Sequence, residues 1–153
     1  MGTASGAYKF VLLLHVLAVI AGIGTMVLNG VYAAKARAMG PAGGGAVMQA
    51  NFDVGKVAEK IIYTIPIFGL ALVGMSDKVF TMGQTWVWLS LVLYIVAIGI
   101  SHGVMIPNAK KMLAGPSGPA EAEALGKKLA AGGMTLNLLV VALVALMIWK
   151  PGL

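Results

Sequence analysis

Five residues carry groups that could bind or relay something inside an otherwise apolar chain: Asn29, Glu59, Tyr63, His102 and Asn137. Their spacing from basic residues is similar. Asn29 lies 6 residues from Lys35, Tyr63 lies 7 from Lys56, His102 lies 8 from Lys110, and Asn137 lies 9 from Lys128. At ~1.5 Å per helical residue these four sit roughly 9–14 Å above a common lysine belt. Glu59 is one turn below Tyr63, and Ser101 and Thr135 fall near the same layer. A carboxylate, a phenol, an imidazole and two amides at one depth form the donor and acceptor set of a substrate, ion or proton site. His102 is the member that changes charge near neutral pH. The same amides and hydroxyls also serve helix packing in membranes, where each hydrogen bond contributes ~0.6 kcal/mol. Glu59 with Lys60 further suits a pair that snorkels to a lipid headgroup region.

His15 stands apart, about 5 residues into the first apolar run from its other end. It is the candidate cofactor-binding residue, either as a lone axial ligand or as a hydrogen-bonding partner of Ser90. A single haem held by both histidines would need them at one height, and they differ by roughly 10 Å at ~1.5 Å per residue. No pair of histidines or acidic residues has metal-ligand spacing, and the 10 methionines are scattered. The chain has 0 cysteines, so it has no disulfide, thiolate site or cysteine nucleophile. Gly43-Gly44-Gly45 lacks the preceding strand and the Lys-Ser/Thr ending of a phosphate loop, and reads as a flexible linker within Ala33–Lys56.

The elements that must position these residues are membrane spans. The chain is 59% hydrophobic and 10% charged, with a mean hydropathy of +0.93, a composition that would expose large apolar surface in water. Phe10–Tyr32 carries no formal charge over 23 residues, ample for a core of about 30 Å. The expected fold is all-α, a single four-helix membrane bundle over residues 1–153 with helices near 8–34, 54–75, 85–107 and 130–149. Pro66 predicts a kink near Ile62–Pro66, and Pro107-Asn108 a stop to the third span. A short surface helix is expected ahead of the fourth. Small residues at four-residue spacing, Ala18 with Gly22 and Ala97 with Ser101, are the expected helix contacts.

Eight basic residues (Lys35, Arg37, Lys56, Lys60, Lys110, Lys111, Lys127, Lys128) flank the two long loops, against 3 (Lys9, Lys78, Lys150) on the other side. The positive-inside rule therefore places both loops in the cytoplasm and both termini outside. The net charge of +6 is a topology signal, since it forms no basic face with interleaved aromatics and does not suit nucleic acid. A shift of 75 residues lays Gly24 on Gly99, Ala34 on Ala109 and Lys35 on Lys110. That is the pattern of two parallel hairpins, with chance likeness among apolar helices as the alternative.

The run LLLHVLAVIAGIGTMVLNGVYAAKARAM, with its early histidine, central glycines and basic exit, resembles an uncharacterised bacterial family of four-helix integral membrane proteins. That family is distantly similar to the copper-resistance D proteins and to the HemJ type of protoporphyrinogen oxidase. The resemblance implies a multi-pass protein of the bacterial inner membrane, and makes His15 the match to a haem-ligating histidine. Two functions are expected from these readings. The first is a non-enzymatic, transporter-like carrier or accessory subunit with a polar site in the inner half of the bundle. The second is a haem- or metal-linked redox protein using His15, with haem b as its cofactor. Lipid is the expected surrounding, and a second copy or a membrane-complex subunit the expected protein partner.

Overall fold

The computed structural model describes residues 2–153, apart from the side chains of Pro41 and Ala42. The described chain is all-helical, without strands. Its elements are α1 (Gly6–Ala38), α2 (Gly40–Ile62), α3 (Thr64–Met75), α4 (Thr85–Ile100), a π-helical turn (Ser101–Met105), α5 (Ile106–Ala114) and α6 (Pro119–Trp149). α2 with α3, and α4 with α5, each form one interrupted rod, so four rods are long and apolar enough to cross a membrane. No more than 11% of each apolar stretch is buried within the protein. The rest needs hydrocarbon around it, and the chain is a multi-pass membrane protein.

All four rods are longer than sequence patterning suggests, and the reason is packing. Ser5 caps α1 by accepting from the Tyr8 amide at 3.3 Å. At the far end, Met39 and Gly40 reverse the chain, with Gly40 at φ +66°. The residues expected to form a flexible linker are instead helical, continuing α1 to Ala38 and opening α2. Gly44 explains this: it is buried, and a Cβ there would collide with the Ala36 carbonyl. Glycine at this position serves close helix approach rather than flexibility. The same device recurs up the hairpin. A Cβ at Gly22 would lie 2.8 Å from Ile62 Cγ1, and one at Gly69 would lie 3.3 Å from the His15 ring. Ala18 and Gly22 are buried as expected, whereas Ala97 and Ser101 are only half-buried.

The two prolines within the spans, Pro66 and Pro107, are handled differently. The second rod breaks at Tyr63, within the expected kink region. Pro66 has no N–H for the Ile62 carbonyl, and the Tyr94 hydroxyl of α4 donates to that oxygen instead, at 3.3 Å. Pro107 does not end the third rod. The π turn ahead of it shifts the hydrogen bonding, with the Ile106 amide reaching the Ser101 carbonyl, and α5 continues to Ala114. α6 likewise absorbs the expected surface helix into one 31-residue rod. Its buried Gly132 abuts Met105, whose sulfur would be 2.6 Å from a Cβ.

The two hairpins, α1 with α2–α3 and α4–α5 with α6, meet along α1 with α6 and α2 with α5. At the end away from the long-loop lysines, the turn after α3 is knotted by fully buried Ser76. Its hydroxyl donates to Val73 at 2.7 Å and accepts from the Phe80 amide at 2.9 Å. Lys150 rests over the Phe80 ring at 4.6 Å, and the Pro151 carbonyl accepts from the Trp86 amide at 3.2 Å. These aromatics mark one membrane boundary. Measured ~20 residues along each rod from that level, the other boundary falls near Asn29, Gly55, Ile106 and Ala130.

Candidate functional site: a carboxylate, a phenol and an imidazole between the hairpins

Glu59 and Tyr63 share a face of the second rod, four residues apart. His102 is the second residue of the π turn on the third. The Tyr63 hydroxyl is 2.5 Å from Glu59 Oε1 and 2.7 Å from His102 Nε2. His102 Nε2 is also 3.1 Å from that carboxylate oxygen. The two rings are nearly parallel, 6° apart, with centroids separated by 6.2 Å.

The donors can be assigned by counting protons. An ionised carboxylate only accepts, and a phenol has one proton to give. With Glu59 ionised, Tyr63 therefore donates to Glu59, and His102 Nε2–H must donate to the Tyr63 oxygen. A concerted shift of two protons reverses every donor. Tyr63 gives its proton to Glu59 while receiving the one from Nε2, leaving a neutral glutamic acid, an intact phenol and an imidazole nitrogen that accepts. The net result is transfer of one proton from an imidazolium to the carboxylate across the hairpin contact, which leaves a neutral imidazole.

Placement supports such exchange. His102 is 4 residues from Ile106, hence ~6 Å inside the lysine-side boundary. The site is open rather than sealed, with the His102 side chain 45% and the Glu59 side chain 26% exposed. Tyr63 reaches it because helical side chains lean toward the N-terminus, here toward the lysine side.

The other expected members lie elsewhere. Asn29 belongs to the seam inside the first hairpin: its carbonyl accepts from Asn51 Nδ2 at 3.3 Å, and its amide nitrogen faces Gly55. Asn137 is exposed on α6. Burial of Gly132 and Leu136 against the third rod turns the neighbouring position outward. A layer with one polar residue from every rod therefore does not form; Glu59, Tyr63 and His102 converge without the two asparagines. Thr135 is satisfied by its own helix through the Ala131 carbonyl at 3.0 Å.

His15 does not meet Ser90, which donates to the Trp86 carbonyl at 2.6 Å. Its Nδ1 instead donates to the Ile65 carbonyl at 3.0 Å, across the α1–α3 contact. A carbonyl can only accept, so this bond fixes the tautomer. With Nδ1 held by that carbonyl, Nε2 is the ring nitrogen left over for an axial-ligand role. The His15 ring packs its Nδ1–Cε1 edge against the bare backbone of Gly69. Among the described residues, no three His, Cys, Asp or Glu side chains cluster to hold a metal ion.

Sequence reasoning missed Tyr94. The signal was available, since a proline at position 66 orphans the carbonyl at 62 and a donor must come from a neighbouring helix. Compared with known protein families, curated proteins and solved structures, the chain matches none.

Proposed function

We propose that this chain is a transporter-like membrane protein of the bacterial inner membrane whose hairpin contact is controlled by a proton at Glu59, Tyr63 and His102. The observation that carries the reading is the continuous hydrogen-bonded path from imidazole through phenol to carboxylate, with its two ends on different hairpins. In the charge-separated state an imidazolium and a carboxylate pull the two rods together. After proton transfer both are neutral and the attraction is gone. An added or removed proton thus alters how strongly the hairpins hold each other, which is what a proton-coupled alternating structure needs.

The charge bias of the flanking residues supports both long-rod turns facing the cytoplasm and both termini facing out. The turns themselves favour a parallel repeat. Gly40 (φ +66°) and Gly115 (φ +90°) sit 75 residues apart, and each precedes a proline in the sequence. That is the same offset that aligns Lys35 with Lys110. Single cysteines at Gly45, which is exposed and has open space around it, and at Ser117 test the orientation. Labelling of either from outside intact cells overturns it.

Spin labels on the two hairpins test the proton reading. In bilayers, the inter-hairpin distance is expected to shift between about pH 5 and pH 8, the range in which histidine changes charge, and to stop shifting in His102→Gln. A distance insensitive to pH in the parent protein refutes the reading. The haem-linked alternative draws its support from the resemblance of the first span alone. A Soret band that His15→Ala removes would establish it instead.

A further inference from the structure

Asn137 is a polar group in the wrong place for a monomer. It lies 12 residues from Trp149, so ~18 Å into a hydrocarbon core of about 30 Å. Its side chain is exposed and makes no hydrogen bond among the described residues. The threonines at comparable depth are satisfied by their own helices. Thr25 donates to the Ala21 carbonyl at 2.8 Å, Thr135 to Ala131, and nearer the lysine boundary Asn108 turns its amide onto the Val104 carbonyl at 2.6 Å. The Asn137 amide points away from its own chain, into a medium with neither donor nor acceptor.

The residues around it form a stripe. Met134, Asn137, Val141, Val144 and Ile148 follow one another at spacings of 3, 4, 3 and 4, which is the seam of a helix pair. All five are exposed, with Met134 68%, Val141 65% and Ile148 68% accessible. No charge interrupts the stripe. α1 provides an internal contrast: Leu13, Leu17, Ile20, Val27 and Val31 are just as exposed but wholly apolar, so lipid satisfies them completely.

We propose that α6 pairs in parallel with α6 of a second copy through this stripe, with Asn137 hydrogen-bonded to Asn137 of that copy. Three features select a second copy over another occupant. An amide carries both donor and acceptor, and so complements itself. Two copies inserted with one topology hold residue 137 at the same depth automatically. A two-fold axis along the membrane normal places each residue of such a seam opposite its own equivalent. Acyl chains can cover Val141 and Ile148 but leave the amide unpaired, and a different protein would need a polar group at this same depth. The pairing is independent of the proton reading, since none of the stripe residues touches Glu59, Tyr63 or His102.

The natural absence of cysteine makes the test clean. In proteoliposomes, Val141→Cys and Val144→Cys are expected to form disulfide-linked dimers on oxidation, while Ile20→Cys on α1 stays monomeric. Introducing Asn137→Leu is expected to weaken association, read by energy transfer between labelled copies, by about tenfold or more. Asn137→Gln, which keeps the amide, retains most of it. Equal cross-linking from Ile20→Cys and Val141→Cys overturns the proposal, as does unchanged association of Asn137→Leu. Because position 137 is exposed, the Leu variant should fold; if it does not, Asn137→Gln against Asn137→Ala decides the point. Energy transfer no greater than random mixing in the parent protein refutes self-pairing and leaves the stripe to another protein.

Discussion

The inside of the first hairpin and the contact between the two hairpins are both built around a histidine, and they treat it in opposite ways. His15 is half-buried, with Nδ1 committed to the Ile65 carbonyl and its ring against Gly69. Its surroundings are close-packed: a Cβ at Gly22 would lie 2.8 Å from Ile62. His102 sits on a π turn, its side chain 45% exposed, facing a phenol and a carboxylate that can each exchange a proton with it. Backbone carbonyls have no second protonation state in the accessible pH range, so the bond of His15 is not remade by proton exchange with its partner. A carboxylate can take up a proton and a phenol can relay one, so the bond of His102 can be remade. Where glycine lets two helices touch, the contact is rigid; where proline displaces the ladder and a π turn takes up the slack, the contact is polar and adjustable.

The largest expected effect tests the rigid side. Gly44→Ala places a methyl group into the Ala36 carbonyl, where backbone rather than a rotatable side chain must yield. We expect a loss of about 2 kcal/mol or more in unfolding experiments in detergent or bicelles. Gly45→Ala next to it has open space and should be neutral or slightly stabilising, by up to ~1 kcal/mol. Equal behaviour of the two would mean that the first hairpin is not held by close approach.

His15→Leu comes next. It removes one hydrogen bond across the α1–α3 contact and part of a snug packing arrangement, so a loss of about 1–3 kcal/mol is expected. The loss should be the same in a Glu59→Gln background, because the partner is a carbonyl of the same hairpin and not the carboxylate. A loss that depends on the residue at position 59 would move His15 to the adjustable side of the comparison.

Much of this architecture is legible in the sequence because hydropathy over 20 residues is a strong signal, as Phe10–Tyr32 shows. The convergence of Glu59, Tyr63 and His102 was partly legible too: depth along a helix can be counted from flanking lysines. Azimuth cannot. Asn137 shares the depth of the site, but the burial of Gly132 and Leu136 turns it outward, and nothing local in the sequence fixes that rotation. Glycine was the most misleading residue type. Gly43-Gly44-Gly45 has the composition of a linker, and whether such a run bends freely or lets two helices touch depends on what faces it, here Ala36. Proline was ambiguous for the same reason, since Pro107 ends a helix only if nothing upstream accommodates its missing donor.

Tyr94→Phe probes the border between the two regions. It deletes the hydroxyl that reaches the Ile62 carbonyl across the hairpins at 3.3 Å, leaving that oxygen without its donor, and should cost about 1 kcal/mol. It should also let the hairpins separate more readily, seen as a broader inter-hairpin distance distribution. No broadening would confine the coupling to the His102 site.

The smallest stability effect belongs to His102→Gln, and its smallness is the point. The side chain is nearly half exposed, and glutamine can still donate to Tyr63 or Glu59, so less than about 0.5 kcal/mol should be lost. Glutamine cannot hold a second proton, however, so the path from imidazole to carboxylate ends. Combining it with Tyr63→Phe in a double-mutant cycle measures the coupling directly. With a neutral imidazole, the coupling should be that of one partly exposed hydrogen bond, ~0.5 kcal/mol or less; with an imidazolium as the donor to the Tyr63 oxygen, at low pH, it should grow. A coupling that stays flat across this range would show that His102, like His15, serves only to hold helices in place.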